Sequence, residues 1–155
     1  MKKLVVLFSL IALSVAGKAQ LNPVSWTFSS KKTGDKTYEI SMTATMQSNW
    51  HIYAQEQPDG AEVIPTSFTI NANPLLTADG KIQEVGKLEK YTDKELNVTL
   101  HQYSNTVTFV QKVKLKANVK TNFTGTLEYQ TCNEEKMLPT VQRLAELLGQ
   151  LHEHF

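Results

Sequence analysis

The sequence predicts an antiparallel β-sandwich followed by a short C-terminal amphipathic helix, and three observations predict it. Apolar and polar side chains alternate with a period of two through much of the chain, turn-forming residues recur at short intervals between those stretches, and the last residues change to helical spacing. A β-barrel is the competing architecture for the same strands. The chain has 155 residues, enough for one domain that buries its own core.

The first element is a predicted export leader, residues 1–19. Lys2 and Lys3 precede an apolar run from Leu4 to Ala16, and the small residues Gly17 and Ala19 leave room for cleavage just before Gln20. The apolar run falls short of the roughly 20 residues a membrane helix needs, and no later stretch reaches that length. Cleavage would remove Lys2, Lys3 and Lys18, lowering the 16 basic residues to 13 against 15 acidic ones, a formal net charge of −2. That balance, with Arg143 the sole arginine, argues against phosphate-driven binding of nucleic acid.

The predicted sandwich covers residues 20–139. Tyr38, Ile40, Met42, Ala44 and Met46 fall on one face of a strand and Thr37, Glu39, Ser41, Thr43 and Thr45 on the other. Val107, Phe109, Gln111, Val113, Leu115 and Ala117 repeat the pattern against Thr108, Val110, Lys112, Lys114 and Lys116. Shorter strands are expected at Val24–Phe28, Trp50–Ala54, Ile64–Ile70, Lys81–Val85, Leu96–Leu100 and Phe123–Tyr129, with Trp26 and Trp50 in the core. Turns are expected at Thr33-Gly34-Asp35, Pro58-Asp59-Gly60, Asn73-Pro74, Ala78-Asp79-Gly80 and Ser104-Asn105. The lysine row at 112, 114 and 116 keeps a strand soluble and blocks edge pairing. In residues 140–155, Val141, Leu144, Leu147, Leu148 and Leu151 lie at helical spacing, with Thr140 placed as the cap.

Cysteine is the sparsest informative residue. An exported protein in an oxidising compartment often pairs its cysteines, but Cys132 is alone and cannot form an internal bridge. It follows Phe123, Leu127 and Tyr129 with the parity of Thr124, Glu128 and Gln130, which predicts exposure. His51, His101, His152 and His154 are not grouped as metal sites require, and the chain has neither a nucleophile elbow nor a glycine-rich loop leading into a helix. No metal or other cofactor is expected. Asn97-Val98-Thr99 and Asn122-Phe123-Thr124 match the glycan-acceptor pattern by chance in a chain with a bacterial type of leader.

Three stretches carry a resemblance. They are Trp50-His51-Ile52-Tyr53-Ala54-Gln55 with Ile64-Pro65-Thr66-Ser67-Phe68, then Val107 to Leu115, then Leu127-Glu128-Tyr129-Gln130-Thr131-Cys132-Asn133 running on to Met137-Leu138-Pro139. In that order and spacing they resemble the N-terminal periplasmic domain of the thiol:disulfide interchange protein DsbD and related disulfide-corrector domains, over about Pro23 to Pro139. The resemblance implies an immunoglobulin-like sandwich in the periplasm that passes electrons to disulfide or thioredoxin-like proteins through two cysteines flanking a short loop. Cys132 matches the first cysteine, and Met137 stands where the second would be. The resemblance also implies an aromatic cap loop over the cysteines, matched by residues 90–96, with Tyr91 as the shield, Asp93 beside it and Leu96 at a position where an aromatic is usual. The family continues with a strand where this chain is expected to form its helix.

A lone thiol can attack a disulfide, but completing a two-electron transfer within one protein requires a second thiol to resolve the mixed disulfide. The thioether of Met137 cannot serve. The resemblance therefore implies a redox-impaired module acting through protein contacts near Cys132. Two alternatives are a single-cysteine reductant resolved by a thiol of another chain and a structural binding module with an inert thiol.

Overall fold

The computed structural model describes residues 22–94 and 97–144, and the leader predicted at 1–19 lies outside them. Among the described residues the chain forms strands β1 (Val24–Gly34), β2 (Thr37–Met46), β3 (His51–Tyr53), β4 (Ser67–Ile70), β5 (Leu76–Gly86), β6 (Glu89–Asp93), β7 (Val98–Ser104), β8 (Thr106–Leu115), β9 (Gly125–Cys132) and β10 (Met137–Leu144). One sheet has the order β1-β2-β8-β5; the other runs β10-β9-β3-β7-β6, with β4 also paired to β9. Every pairing is antiparallel.

The period-two stretches do what their alternation predicts. In β2 the side chains of Tyr38, Ile40, Met42, Ala44 and Met46 are buried, and in β8 so are Val107, Phe109, Gln111, Val113 and Leu115. The register sets Met42 opposite Phe109 and Ala44 opposite Val107, so the two strands present one apolar face. Ile52, Leu127 and Tyr129 close on that face from the second sheet, joined by Phe123. Trp26 sits among Phe28, Phe68, Phe109 and Tyr129, with ring centroids 5.4–6.3 Å apart. Burial of each such large side chain contributes roughly 1.5–3 kcal/mol. Trp50 is buried as expected.

The two sheets are joined at a one-residue corner. β7 belongs to one sheet and β8 to the other, and Asn105 between them takes φ 64°, a left-handed conformation that asparagine tolerates. At Gly125 the backbone of β4 comes so close that a Cβ would strike the carbonyl oxygen of Thr69, so glycine is required for the β4–β9 pairing.

Four expectations are corrected. The turn at Ala78-Asp79-Gly80 lies inside β5 as a bulge: Asp79 pairs with Lys112 and Gln83 with Val110, leaving residues 80–82 opposite Gln111. Gly80 takes φ 75° there, and the buried Gln111 amide donates to the Asp79 and Gly80 carbonyls at 3.4 and 3.2 Å. Both arms of β5 find ladder partners on β8, so the glycine bends the strand instead of ending it.

The C-terminal helix is corrected over its first part. Thr140, Val141 and Leu144 belong to β10, which pairs with β9 from Met137 opposite Cys132 to Leu144 opposite Gly125. The unpaired edge of β9 outweighs the helical spacing of two leucine-type residues. Pro139 is accommodated because β10 is itself an edge strand. The boundary drawn between residues 139 and 140 thus falls within a strand, and residues 145–155, the rest of the predicted helix, lie outside the described residues.

The lysine row does not guard an edge, since β8 lies between β2 and β5. Lys112 reaches Glu39 at 3.9 Å, and these side chains serve only the wet face. The fourth correction concerns Cys132.

Candidate functional site

Cys132 closes β9, and its parity is as the sequence predicts: it points away from the sandwich core, with Gln130. The expected exposure does not follow, because the side chain is only 4% accessible. The outer face of the sheet is covered there. β9 pairs with β3 at Cys132 and Thr131 and with β4 from Glu128 back to Gly125, so the chain between β3 and β4, residues 54–66, is forced out over the face. Ala61 and Val63 from that segment pack with Tyr53, Leu100 and Cys132 in a small second core. Its ends are fastened: Ile64 N–H donates to the Gln130 side-chain oxygen at 2.6 Å, and the Thr66 hydroxyl donates to the Tyr53 carbonyl at 2.6 Å.

A cleft of about 850 Å³ opens beside the cysteine on the same face. β3 contributes His51 and Tyr53, β7 contributes Leu100, Gln102 and Ser104, and β6 contributes Tyr91 and Asp93. The β9–β10 hairpin supplies the remaining wall. Its loop is shaped by Asn133, whose side-chain oxygen accepts the Glu135 and Lys136 N–H groups at 3.0 and 2.7 Å, leaving Glu134, Glu135 and Lys136 exposed at the rim.

The register aligns three side chains across three strands. Met137 on β10 lies directly opposite Cys132, and Cys132 lies directly opposite His51 on β3. Opposed residues of an antiparallel pair project to the same face with Cα atoms about 4.5–5.5 Å apart. Met137 is 61% accessible, so the row runs from a solvent-facing thioether inward to a buried thiol and a half-buried imidazole.

Burial pushes the Cys132 thiol above its ordinary value, and hydrogen bonds from Tyr53, Gln130 and the Leu138 backbone oppose that shift without overcoming it. At neutral pH the sulfur is a thiol, poorly nucleophilic until it is ionised. Burial also raises the Tyr53 phenol, and the hydrogen bond to Cys132 adds to the shift. Desolvation lowers His51 below 6.5 against the pull of Glu89, so its ring is neutral at pH 7. The His51 and Tyr53 rings meet edge to face at 5.4 Å, and Glu89 accepts from the Ser104 hydroxyl at 2.8 Å.

Of the residues singled out in the sequence, Cys132, Met137, Tyr91 and Asp93 share this cleft; Leu96 lies outside the described residues. The stretch expected as a cap loop is largely strand, since Glu89–Asp93 forms β6 and pairs Tyr91 with Leu100 and Asp93 with Val98. Tyr91 remains 56% accessible on that strand. Sequence reasoning did not assign His51 and Tyr53 to the site. Their signal was their own alternation, with Ile52 between them in the core and both polar tips on the cysteine's face. His101 bonds instead to the Glu56 carbonyl at 3.2 Å, and no group of three His, Cys, Asp or Glu side chains suited to a metal occurs among the described residues. Among those residues no helix is long and apolar enough to cross a membrane.

No sequence-family model matches the chain, and no curated protein matches it. Solved structures do. The N-terminal periplasmic domain of ScsB from Proteus mirabilis superposes with a TM-score of 0.58 at 12% identity, covering 83% of this chain and 47% of that one. The chain therefore spans about half the length of that relative. The reduced N-terminal domain of Neisseria meningitidis DsbD gives a TM-score of 0.46 at 12% identity, covering 85% of this chain and 90% of that one. The fold is an immunoglobulin-like β-sandwich of the kind found in the ScsB N-terminal periplasmic domain, with Cys132 at the end of its ninth strand.

Proposed function

We propose that this domain is an exported, redox-impaired member of the thiol:disulfide interchange type, which contacts periplasmic disulfide or thioredoxin-like proteins through the cleft around Cys132. The observation that carries the reading is the register of β9 and β10. Met137 stands directly across from Cys132, where a second thiol would have to stand to make a cross-strand disulfide. The sequence resemblance, the shared sandwich and the predicted leader support the compartment and the type of partner. In this reading Tyr91 and Asp93 take the place of the cap, flanking the approach to the sulfur from β6.

The chemistry limits what such a domain does. Attack by the Cys132 thiolate on a partner disulfide joins the two sulfurs and expels one partner thiolate, and the mixed disulfide then waits for a thiol from elsewhere. The burial of Cys132 slows even the first step. The test is turnover of insulin or glutathione disulfide by the pure protein with dithiothreitol as the only reductant. The expected rate is that of dithiothreitol alone; many turnovers above that background would overturn the redox-impaired reading in favour of a working reductant.

A further inference from the structure

We propose that the outer edge of β1 pairs with β1 of a second copy of this chain, joining two four-stranded sheets into one across a two-fold axis. Among the described residues the first sheet ends at β1 and β5 and the second at β10 and β6, while β4 pairs only with β9. Unpaired edges invite strand addition, and folds guard them with short strands, charges, prolines or bulges. Every edge but one carries such a device. β4 and β6 are four and five residues long, β6 with Glu89, Lys90 and Asp93; β5 is bent by its bulge at Gly80 between Asp79 and Lys81; β10 holds Pro139. β1 runs over 11 residues, pairs with β2 without interruption from Val24 to Lys32, and carries no proline and no charge before Lys31.

The ladder identifies the main-chain groups on the open side. Gln47 N–H donates to the Pro23 carbonyl at 2.9 Å, whereas Met46 N–H donates to the Asn105 carbonyl, on the side of β8, at 2.8 Å. Bonded and unbonded positions alternate along an antiparallel pair, so Thr27 and Ser29 turn their main-chain groups to β2 and Trp26, Phe28 and Ser30 turn theirs outward. Val24 shares the outward parity but is fully buried, so the open stretch begins at Trp26.

That stretch matches itself. A two-fold axis at Phe28 sets Trp26 against Ser30 of the second copy, Phe28 against Phe28 and Ser30 against Trp26, and each opposed pair exchanges two main-chain bonds. Every outward donor and acceptor from Trp26 to Ser30 is then used. Lys31 falls opposite Ser25 of the second copy, which leaves the two Lys31 positions at opposite ends of the join, about 20 Å apart. On the wet face the exposed Thr27 meets the exposed Ser29, and on the other face the half-buried Trp26 and Phe28 gain cover. This self-match in length, bonding groups and charge selects a second copy over an unrelated strand. The axis stands perpendicular to the joined sheet, so the clefts around Cys132, on the outer face of the other sheet, open on one side of the dimer. The pairing uses β1 alone and is independent of thiol exchange at the cleft.

The experiment is sedimentation equilibrium of the full chain expressed with its own leader, with reductant present so that Cys132 cannot link chains. A strand join of this length is at the low end of interface size, so a reversible dimer with a dissociation constant on the order of 10–100 µM is expected. Thr27→Lys with Ser29→Lys, and Thr27→Glu with Ser29→Glu, change only exposed positions and set like charges across the join; each double variant should raise that constant at least about tenfold, and mixing the two in equal amounts should restore the dimer. Recovery on mixing separates lost pairing from lost folding. Ser30→Pro removes an outward N–H at an edge that tolerates proline and should weaken the dimer at least about tenfold as well. A wild type still monomeric at about 500 µM, double variants or Ser30→Pro that dimerise as tightly as the wild type, or a mixture that stays monomeric would each overturn the pairing.

Discussion

Replacing Met137 by cysteine tests the register that carries the functional reading. Directly opposed residues in an antiparallel pair have Cα atoms about 4.5–5.5 Å apart, inside the roughly 4.4–6.8 Å range over which a disulfide closes without backbone movement. Met137→Cys is therefore expected to oxidise to an internal bridge with Cys132. The closed loop is short, about six residues, so the chain-entropy relation gives only about 2 kcal/mol of stabilisation over the reduced form. For a domain of this size that corresponds to a Tm higher by roughly 5–10 °C. Mass spectrometry reads the loss of two hydrogens, thiol titration reads zero free sulfhydryls, and thermal unfolding with and without dithiothreitol reads the increment. Two thiols that persist under mild oxidation, or a bridge that lowers the Tm, would refute the placement of residue 137 across from residue 132. Gain of disulfide turnover by this variant over the wild type would further support the redox-impaired reading.

Four further outcomes follow from the packing. The native Cys132 thiol should react with Ellman's reagent at pH 7 at least about tenfold more slowly than in urea, accelerating as pH rises above 9.0, and Tyr53→Phe should slow it further by removing a bond that favours the thiolate; equal native and unfolded rates would contradict the burial. Because the folded thiol is the harder one to ionise, its contribution to stability is intact below about pH 9 and declines above it, which urea titrations at pH 8 and 10 measure as a lower midpoint at pH 10. Gly125→Ala drives a methyl group into the Thr69 carbonyl and should cost about 1–3 kcal/mol, so an unchanged urea midpoint would show that β4 is free to shift. Gln111→Leu withdraws the amide that donates to the bulge carbonyls of Asp79 and Gly80 and should cost about 1–3 kcal/mol by the same assay, with no loss locating the bulge elsewhere.

The sandwich was legible because its central strands each bury one face, and a single buried face writes itself as alternation. Tyr38 to Met46 and Val107 to Leu115 needed no tertiary information. The parity of Cys132 was equally legible, but its burial was not: what covers it, Ala61 and Val63, arrives from a segment far away in sequence whose own pattern says only loop. The misread helix shows the same limit from the other side. Val141 and Leu144 satisfy helical spacing with their followers, yet the ladder offered by β9 is invisible until β9 has a place in a sheet. Gly80 signalled a reversal and delivered a bulge, since the choice depends on whether one neighbour can pair with both arms. The row of Met137, Cys132 and His51 depends on strand order, which no local pattern encodes.

The segment between β3 and β4 leaves from and returns to the neighbours of one strand, β9, and that strand also carries the cysteine. It acts as a wall built on the same foundation as the thing it shelters. Lifting it means parting β9 from β3 or β4, so the sulfur is approached from one side only, the β6 and β10 flank past Tyr91 and Met137, and under the proposed function a partner would come to it in one orientation.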